Sequence, residues 1–223
     1  RTPSAFLFVS ATMFLVGSMM AETGATMSRM TLQLGLTPEQ QGLLVSARFI
    51  GGVILGLLLW AGSARLRLRA LYGLSVSAVV FSGMFLFASA YWSALLVATI
   101  RGLAVGALIP LSGVFAANQS ERPAGPVTSM VNATLSSGLV TLSLVALALS
   151  GLPALPWQLY WLLPSVLALA LLLGYPRVEF PTVAAKPAAT RDAARQPTLL
   201  RHTDWTIALT AAFTVSAESV LIG

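Results

Sequence analysis

Residues 93–117 read SALLVATIRGLAVGALIPLSGVFAA, an apolar run whose single charge, Arg101, sits near its middle. A helix rises about 1.5 Å per residue, so about 20 apolar residues cross a hydrocarbon core of about 30 Å. This stretch is long enough to span. Its neighbours repeat the pattern over 5–27, 40–61, 70–90, 127–150 and 157–175, and a seventh apolar run occupies 205–223. Short connections at 28–39, 91–92 and 151–156 force antiparallel neighbours, so the reading is an all-α integral membrane protein built as a helical bundle.

Composition agrees. Hydrophobic residues make up 57% of the chain and charged residues 9%, where a soluble domain carries about a quarter charged. A surface that faces lipid has no need of that charge. The net charge of +6 raises the question of nucleic acid, but the basic residues lie between spans, and no nucleic-acid partner is expected. Ten of them fall on one side of the alternating topology: Arg1, Arg65, Arg67, Arg69, Arg122, Arg177, Lys186, Arg191, Arg195 and Arg201. Only Arg29 falls in a loop on the other side, which places the N-terminus in the cytoplasm of an inner (plasma) membrane. The chain opens on Arg1 rather than Met, so a preceding segment is expected.

The one long connection, 176–204, reads PRVEFPTVAAKPAATRDAARQPTLLRHTD. Its Pro, Ala and mixed charge suit a cytoplasmic linker with one short amphipathic helix near 188–196. The chain therefore divides into a bundle over 1–175, a linker over 176–204 and a further span over 205–223. Local signals support the boundaries. Thr37-Pro38-Glu39-Gln40 offers an N-cap Thr, a Pro at the first helical position and a Gln placed for a capping box. Tyr91, Trp92, Trp157, Tyr160 and Trp161 fall near expected membrane interfaces, where amphipathic rings are favoured. Pro110 and Pro164 lie inside spans and should loosen them locally.

Small residues mark helix contacts. Gly52 and Gly56 form a G-x-x-x-G, and Ala94, Ala98, Gly102 and Gly106 recur at four-residue spacing, which lets backbones approach closely in lipid. Packing is the plain reading of both.

A charge inside the membrane costs at least about 2.5–3.5 kcal/mol, so it marks a cavity or a partner. Glu22, Arg48, Arg101 and Glu218 are such charges. Depth counting puts Glu22 close to the outer boundary and Arg48 about 10 Å below it, so the two are expected to pair. Arg101 falls near the midplane and is expected to face a hydrated cavity rather than lipid. Asn132 stands out among the hydroxyls of 129–141 because its amide needs several partners, and a polar solute would supply them. There is no cysteine, which excludes disulfides and thiolate chemistry, and the single histidine, His202, offers no metal site. No phosphate loop or nucleophile elbow appears, so neither catalysis nor a cofactor is expected.

Six spans, a long cytoplasmic linker and a seventh span together resemble the N-terminal half of a major facilitator superfamily (MFS) transporter. Segment 34–56, LGLTPEQQGLLVSARFIGGVILG, is similar to that superfamily's entry into its second helix. Arg65, Arg69 and Leu71 resemble its basic loop after that helix, although Ala64 and Arg67 stand where an acid and a glycine are usual. Arg101 with Gly102 and Gly106 resembles its fourth helix. The resemblance implies two six-helix bundles around a midplane cavity lined mainly by helices 1, 4, 7 and 10. The C-terminal bundle would then be missing from this chain. Glu22, Arg101 and Glu218 fall on the first three of those helices. The implied function is secondary active transport of a small organic solute by alternating access, coupled to protons through an acid in a wet cavity. A drug or metabolite efflux pump of the same superfamily, or a non-transporting membrane receptor or scaffold, remain open beside it.

Overall fold

The computed structural model describes residues 3–62, 68–88, 90–117, 124–149, 152 and 155–180. The chain divides into residues 1–182 and residues 183–223, and the second part lies outside the described residues. With it go most of the expected linker, the short helix near 188–196, the seventh span and Glu218.

The described chain forms six helices: α1 (Pro3–Leu34), α2 (Pro38–Gly62), α3 (Leu68–Met84), α4 (Tyr91–Ala117), α5 (Ala124–Ala148) and α6 (Gln158–Gly174). No strand occurs among the described residues, and the chain has the all-α architecture of a multi-pass membrane protein. Five of the helices, all but α2, are long and apolar enough to cross a membrane. The side chains of α2 beyond Ile54 are outside the described residues. Pro110 and Pro164 both lie inside helices that continue past them.

The first span is longer than its hydropathy. An end near residue 27 was expected, yet α1 runs seven residues further. Thr26 and Thr31 turn their hydroxyls onto the carbonyls of Glu22 and Met27 at 2.6 and 2.9 Å, while Met30 is buried. Polar residues therefore continue the helix by satisfying themselves along it. Gly35 ends it in the left-handed region, with φ 65°. The Leu36 amide then bonds the Thr31 carbonyl at 3.3 Å, as a glycine-terminated helix end does. The helix start that follows matches the sequence reading. The Thr37 amide donates to Gln40 Oε1 at 3.0 Å, and the Gln40 amide donates to Thr37 Oγ1 at 3.4 Å, a reciprocal capping box.

The helices pair chiefly as α1 with α5, α2 with α4, and α3 with both α4 and α6. Glycines set the first two contacts. A Cβ at Gly17 would collide with the Leu135 carbonyl, and one at Gly138 with the Phe14 carbonyl, so α1 and α5 cross at backbone distance. A Cβ at Gly102 would strike the Arg48 carbonyl and one at Gly106 the Gly52 carbonyl, which seats α4 directly on α2. The ladder on α4 is thus shared. Gly102 and Gly106 meet α2, while Ala94 and Ala98 enter an apolar cluster with Leu44, Met30 and Trp157.

Two ends of the bundle are distinct. At one, Arg29 donates to the carbonyls of Leu149, Leu152 and Leu155 at 2.8, 3.0 and 3.0 Å, tying α1 to the α5–α6 connection. At the other, Arg69 lies over the Tyr175 ring at 5.5 Å and donates to the Pro176 carbonyl at 3.3 Å. The aromatic residues of α6 differ from expectation. Trp157 and Trp161 are fully buried and Tyr160 nearly so. They fill the space between α6 and the C-terminal part of α1 instead of standing exposed as a belt, whereas Trp92 is exposed as a belt residue would be.

Candidate functional site

Glu22 on α1 is completely buried, and each of its carboxylate oxygens takes a different arginine. Oε1 accepts from Arg48 Nη2 of α2, and Oε2 accepts from Arg101 Nη1 of α4. The expected pairing of Glu22 with Arg48 is present. Depth counting along the spans set Glu22 and Arg101 at different levels, whereas the structure brings the two side chains into contact.

Arg101 shows how the bundle accommodates a guanidinium. Its Nε donates to Ser82 Oγ of α3 at 3.1 Å, and its Nη2 donates to Ser165 Oγ of α6 at 2.8 Å and to the Trp161 carbonyl. The guanidinium also lies 5.6 Å from the centre of the Trp161 ring, within range of a cation–π contact. Ser82 and Ser165 in turn donate to the Val79 carbonyl at 2.7 and 3.2 Å. Arg101 is thus bonded to three other helices and has no exposed surface. The expectation of a cavity-facing Arg101 is corrected on this point, since the guanidinium is enclosed by protein. The reason is the two serines and the Trp161 carbonyl, which supply inside the bundle the acceptors that water would otherwise provide.

A second layer steadies Glu22. Thr26 donates to the Glu22 main-chain carbonyl and accepts from Trp161 Nε1 at 2.9 Å. Arg48 is less enclosed than Arg101. Its Nη1 donates to the Met20 carbonyl at 3.3 Å, its side chain keeps 7% exposure, and its buried Nε has no partner among the described residues.

Three of the five candidates, Glu22, Arg48 and Arg101, therefore form one network. Asn132 does not join it, lying exposed on α5. Ser129, Asn132, Ser136 and Ser143 are all exposed and fall within a narrow arc of α5 at helical spacing. Thr134 and Ser137 instead satisfy the carbonyls of Val131 and Thr134. Glu218 lies outside the described residues. Ser82, Ser165 and Thr26 were not singled out from the sequence, where a serine in an apolar helix reads as bonded to its own backbone. Among the described residues no cluster suits a metal ion. An apolar cleft lined by Leu149, Leu155, Leu159 and Leu163 lies along α6, apart from these charges.

No known family model matches the sequence, and no curated protein does. Among solved structures, the chain superposes on the MFS proton:xylose symporter XylE, in its complex with 6-bromo-6-deoxy-D-glucose, with a TM-score of 0.70. The match covers 80% of this chain and 45% of that one at 17% identity. The fold is that of one half of a major facilitator superfamily transporter. This MFS-fold chain spans less than half the length of the transporter it matches. Its helix pairing, with the charges gathered between α1, α2 and α4, is therefore described for a half bundle.

Proposed function

We propose that the chain is the N-terminal half of a secondary transporter that moves a small organic solute by alternating access, with Glu22 carrying the coupled proton. The observation behind this reading is the sharing of one buried carboxylate by two arginines from two other helices. Ionised, Glu22 holds α2 and α4 against α1. A proton on Glu22 cancels the only negative charge of the network, leaves Arg48 and Arg101 without their counter-ion and weakens the seam between α1 and α2. A carboxylate with this position converts proton binding into a change of helix contacts. Asn132 and the hydroxyls beside it on α5 supply donors and acceptors for the solute, and Glu218 is a second acid for the pathway. The symporter that shares the fold takes xylose, so a sugar heads the solutes to be tried.

The test is flux through the full-length protein in proteoliposomes, with a pH-sensitive dye trapped inside and xylose, lactate and gluconate added outside in turn. A transporter of this kind moves protons with one of these solutes. Its Glu22→Gln form exchanges that solute but no longer accumulates it against a gradient. Solute flux indifferent to the pH gradient and equal in both forms removes Glu22 from coupling. No flux of any solute by well-inserted protein favours a receptor or scaffold.

A further inference from the structure

One face of α6 is wholly apolar. Leu159, Leu162, Leu163 and Val166 recur on it at helical spacing, and Leu159, Leu163 and Val166 are exposed. Together with Leu149 at the end of α5 and Leu155 in the connection, they line a cleft of about 260 Å³. An apolar cavity of about 150 Å³ is enough to hold benzene, so this cleft takes a longer hydrocarbon. It is also elongated, because Leu159 to Val166 covers about 10 Å of helix axis. α6 is long and apolar enough to cross a membrane, and an exposed leucine face on such a helix suits hydrocarbon.

One end of the cleft carries a charge. Leu149 and Leu155 line the cleft, and their carbonyls accept from Arg29 at 2.8 and 3.0 Å. The Arg29 guanidinium also lies 5.3 Å from the ring centre of Tyr160, a further lining residue. Neutral carbonyls fix the guanidinium in place and leave its positive charge intact. Arg29 itself is only half-buried. This is the end at which α5 and α6 are joined, so the charge stands where the spans finish, at the level of lipid headgroups. A cation at the head of an apolar cleft matches a ligand with an anionic head and a hydrocarbon tail.

Another helix fits the cleft less well than a lipid. Close helix contacts in this bundle are made at glycines, with Gly17 and Gly138 between α1 and α5 and Gly102 and Gly106 between α4 and α2. The outward face of α6 offers leucine and valine, with no small or polar residue on which a partner helix could seat. A flexible acyl chain fills a groove between leucine side chains without needing one. We infer that the cleft holds an acyl chain of an anionic phospholipid whose phosphate lies at Arg29. Arginine and phosphate form a charge-assisted pair, and basic residues between spans are sites of anionic headgroup recognition. A zwitterionic lipid brings a cation of its own and gains less. The inference is independent of any transport activity.

The experiment is native mass spectrometry of the full-length, delipidated protein, titrated with phosphatidylglycerol and separately with phosphatidylcholine of the same acyl chains. The first phosphatidylglycerol should bind at least about tenfold more tightly, the scale of one charge-assisted contact. Leu163→Trp fills the cleft from an exposed position and should weaken that first binding at least about tenfold. Arg29→Gln should bring phosphatidylglycerol down to the phosphatidylcholine affinity and leave phosphatidylcholine unchanged. Loosening of the α5–α6 connection alone would weaken both lipids alike, so that result counts against Arg29 as the headgroup site. If Arg29→Gln does not fold, Arg29→Lys keeps the charge and should keep the preference, and its loss there overturns the pairing. Equal affinities for the two lipids, or phosphatidylglycerol binding untouched by Leu163→Trp, overturns the inference. So does a dimer that Leu163→Trp disrupts, which would give the face to a second copy of the chain.

Discussion

Arg101 is a residue on which polar bonds to three other helices converge. It donates to Glu22, Ser82, Ser165 and the Trp161 carbonyl, which belong to α1, α3 and α6. Lysine at this place has one nitrogen on a shorter reach, so it can keep the ion pair but not the serines and the carbonyl together. Hydrogen bonds to charged groups are worth about 1.5–3 kcal/mol each when lost. Arg101→Lys should therefore lower stability by about 2–4 kcal/mol, and Arg101→Ala by more, because it leaves Glu22 with half its counter-charge. Thermal unfolding of the purified protein in detergent measures both. Equal Tm for the wild type and Arg101→Lys would mean that the serine and carbonyl bonds contribute nothing. Arg101 itself was legible in the sequence, because a charge in an apolar run of this length demands a partner. Ser82 and Ser165 were not legible, since a hydroxyl can always bond its own helix and its outward partner depends on which helix comes alongside.

At the scale of elements, the contacts between α1 and α5 and between α2 and α4 are set by backbone approach. The collisions a Cβ would meet at Gly102 and Gly106 are with carbonyls of α2, which cannot rotate away. Gly102→Ala should push α4 off α2 and cost about 1–3 kcal/mol, the usual range for overpacking. Gly113→Ala on the same helix, where nothing lies within 4 Å, should be neutral or stabilising, because helical Gly is about 0.5–1 kcal/mol poorer than Ala. Unfolding measured for the two variants side by side tests this, and equal losses would show that propensity rather than close packing governs the glycines. The four-residue ladder on α4 announced a close contact without naming its partner. Gly17 and Gly138 carried no comparable signal, since each stands apart from a glycine ladder in its own helix, and only the crossing of α1 with α5 gives them their role.

Across the whole molecule, the charge distribution predicts which end faces which compartment. Arg29 and Arg69 anchor opposite ends of the described bundle, one on the α5–α6 connection and the other beside Tyr175 and Pro176. The chain has no cysteine, so single cysteines report without background. Glu39→Cys should react with an impermeant maleimide on intact cells, and Arg69→Cys should react only after the membrane is opened. Labelling of both from the same side would contradict the alternating topology, and labelling with the sides exchanged would invert the orientation. The aromatic cluster of Phe8, Tyr72, Tyr175 and Phe180 at the Arg69 end carries the described chain three residues past its last helical turn and back onto α1 and α3. The connection after α6 therefore begins packed.

The sequence by itself determined the six helices of the described residues, most of their boundaries, and that Glu22, Arg48 and Arg101 are charges within apolar helices that need partners. These follow from local quantities, because hydropathy over about 20 residues, a proline after an N-cap threonine or a glycine ending a helix act on the chain next to them. The tertiary structure alone decided that Glu22 contacts Arg101, that one carboxylate serves two arginines, that Trp157 and Trp161 are core rather than belt, and that Arg48 keeps an unmet donor. Each depends on where α1, α2, α4 and α6 lie beside one another. In lipid that arrangement is set by the fit of small residues and the mutual satisfaction of polar groups, which no single helix carries.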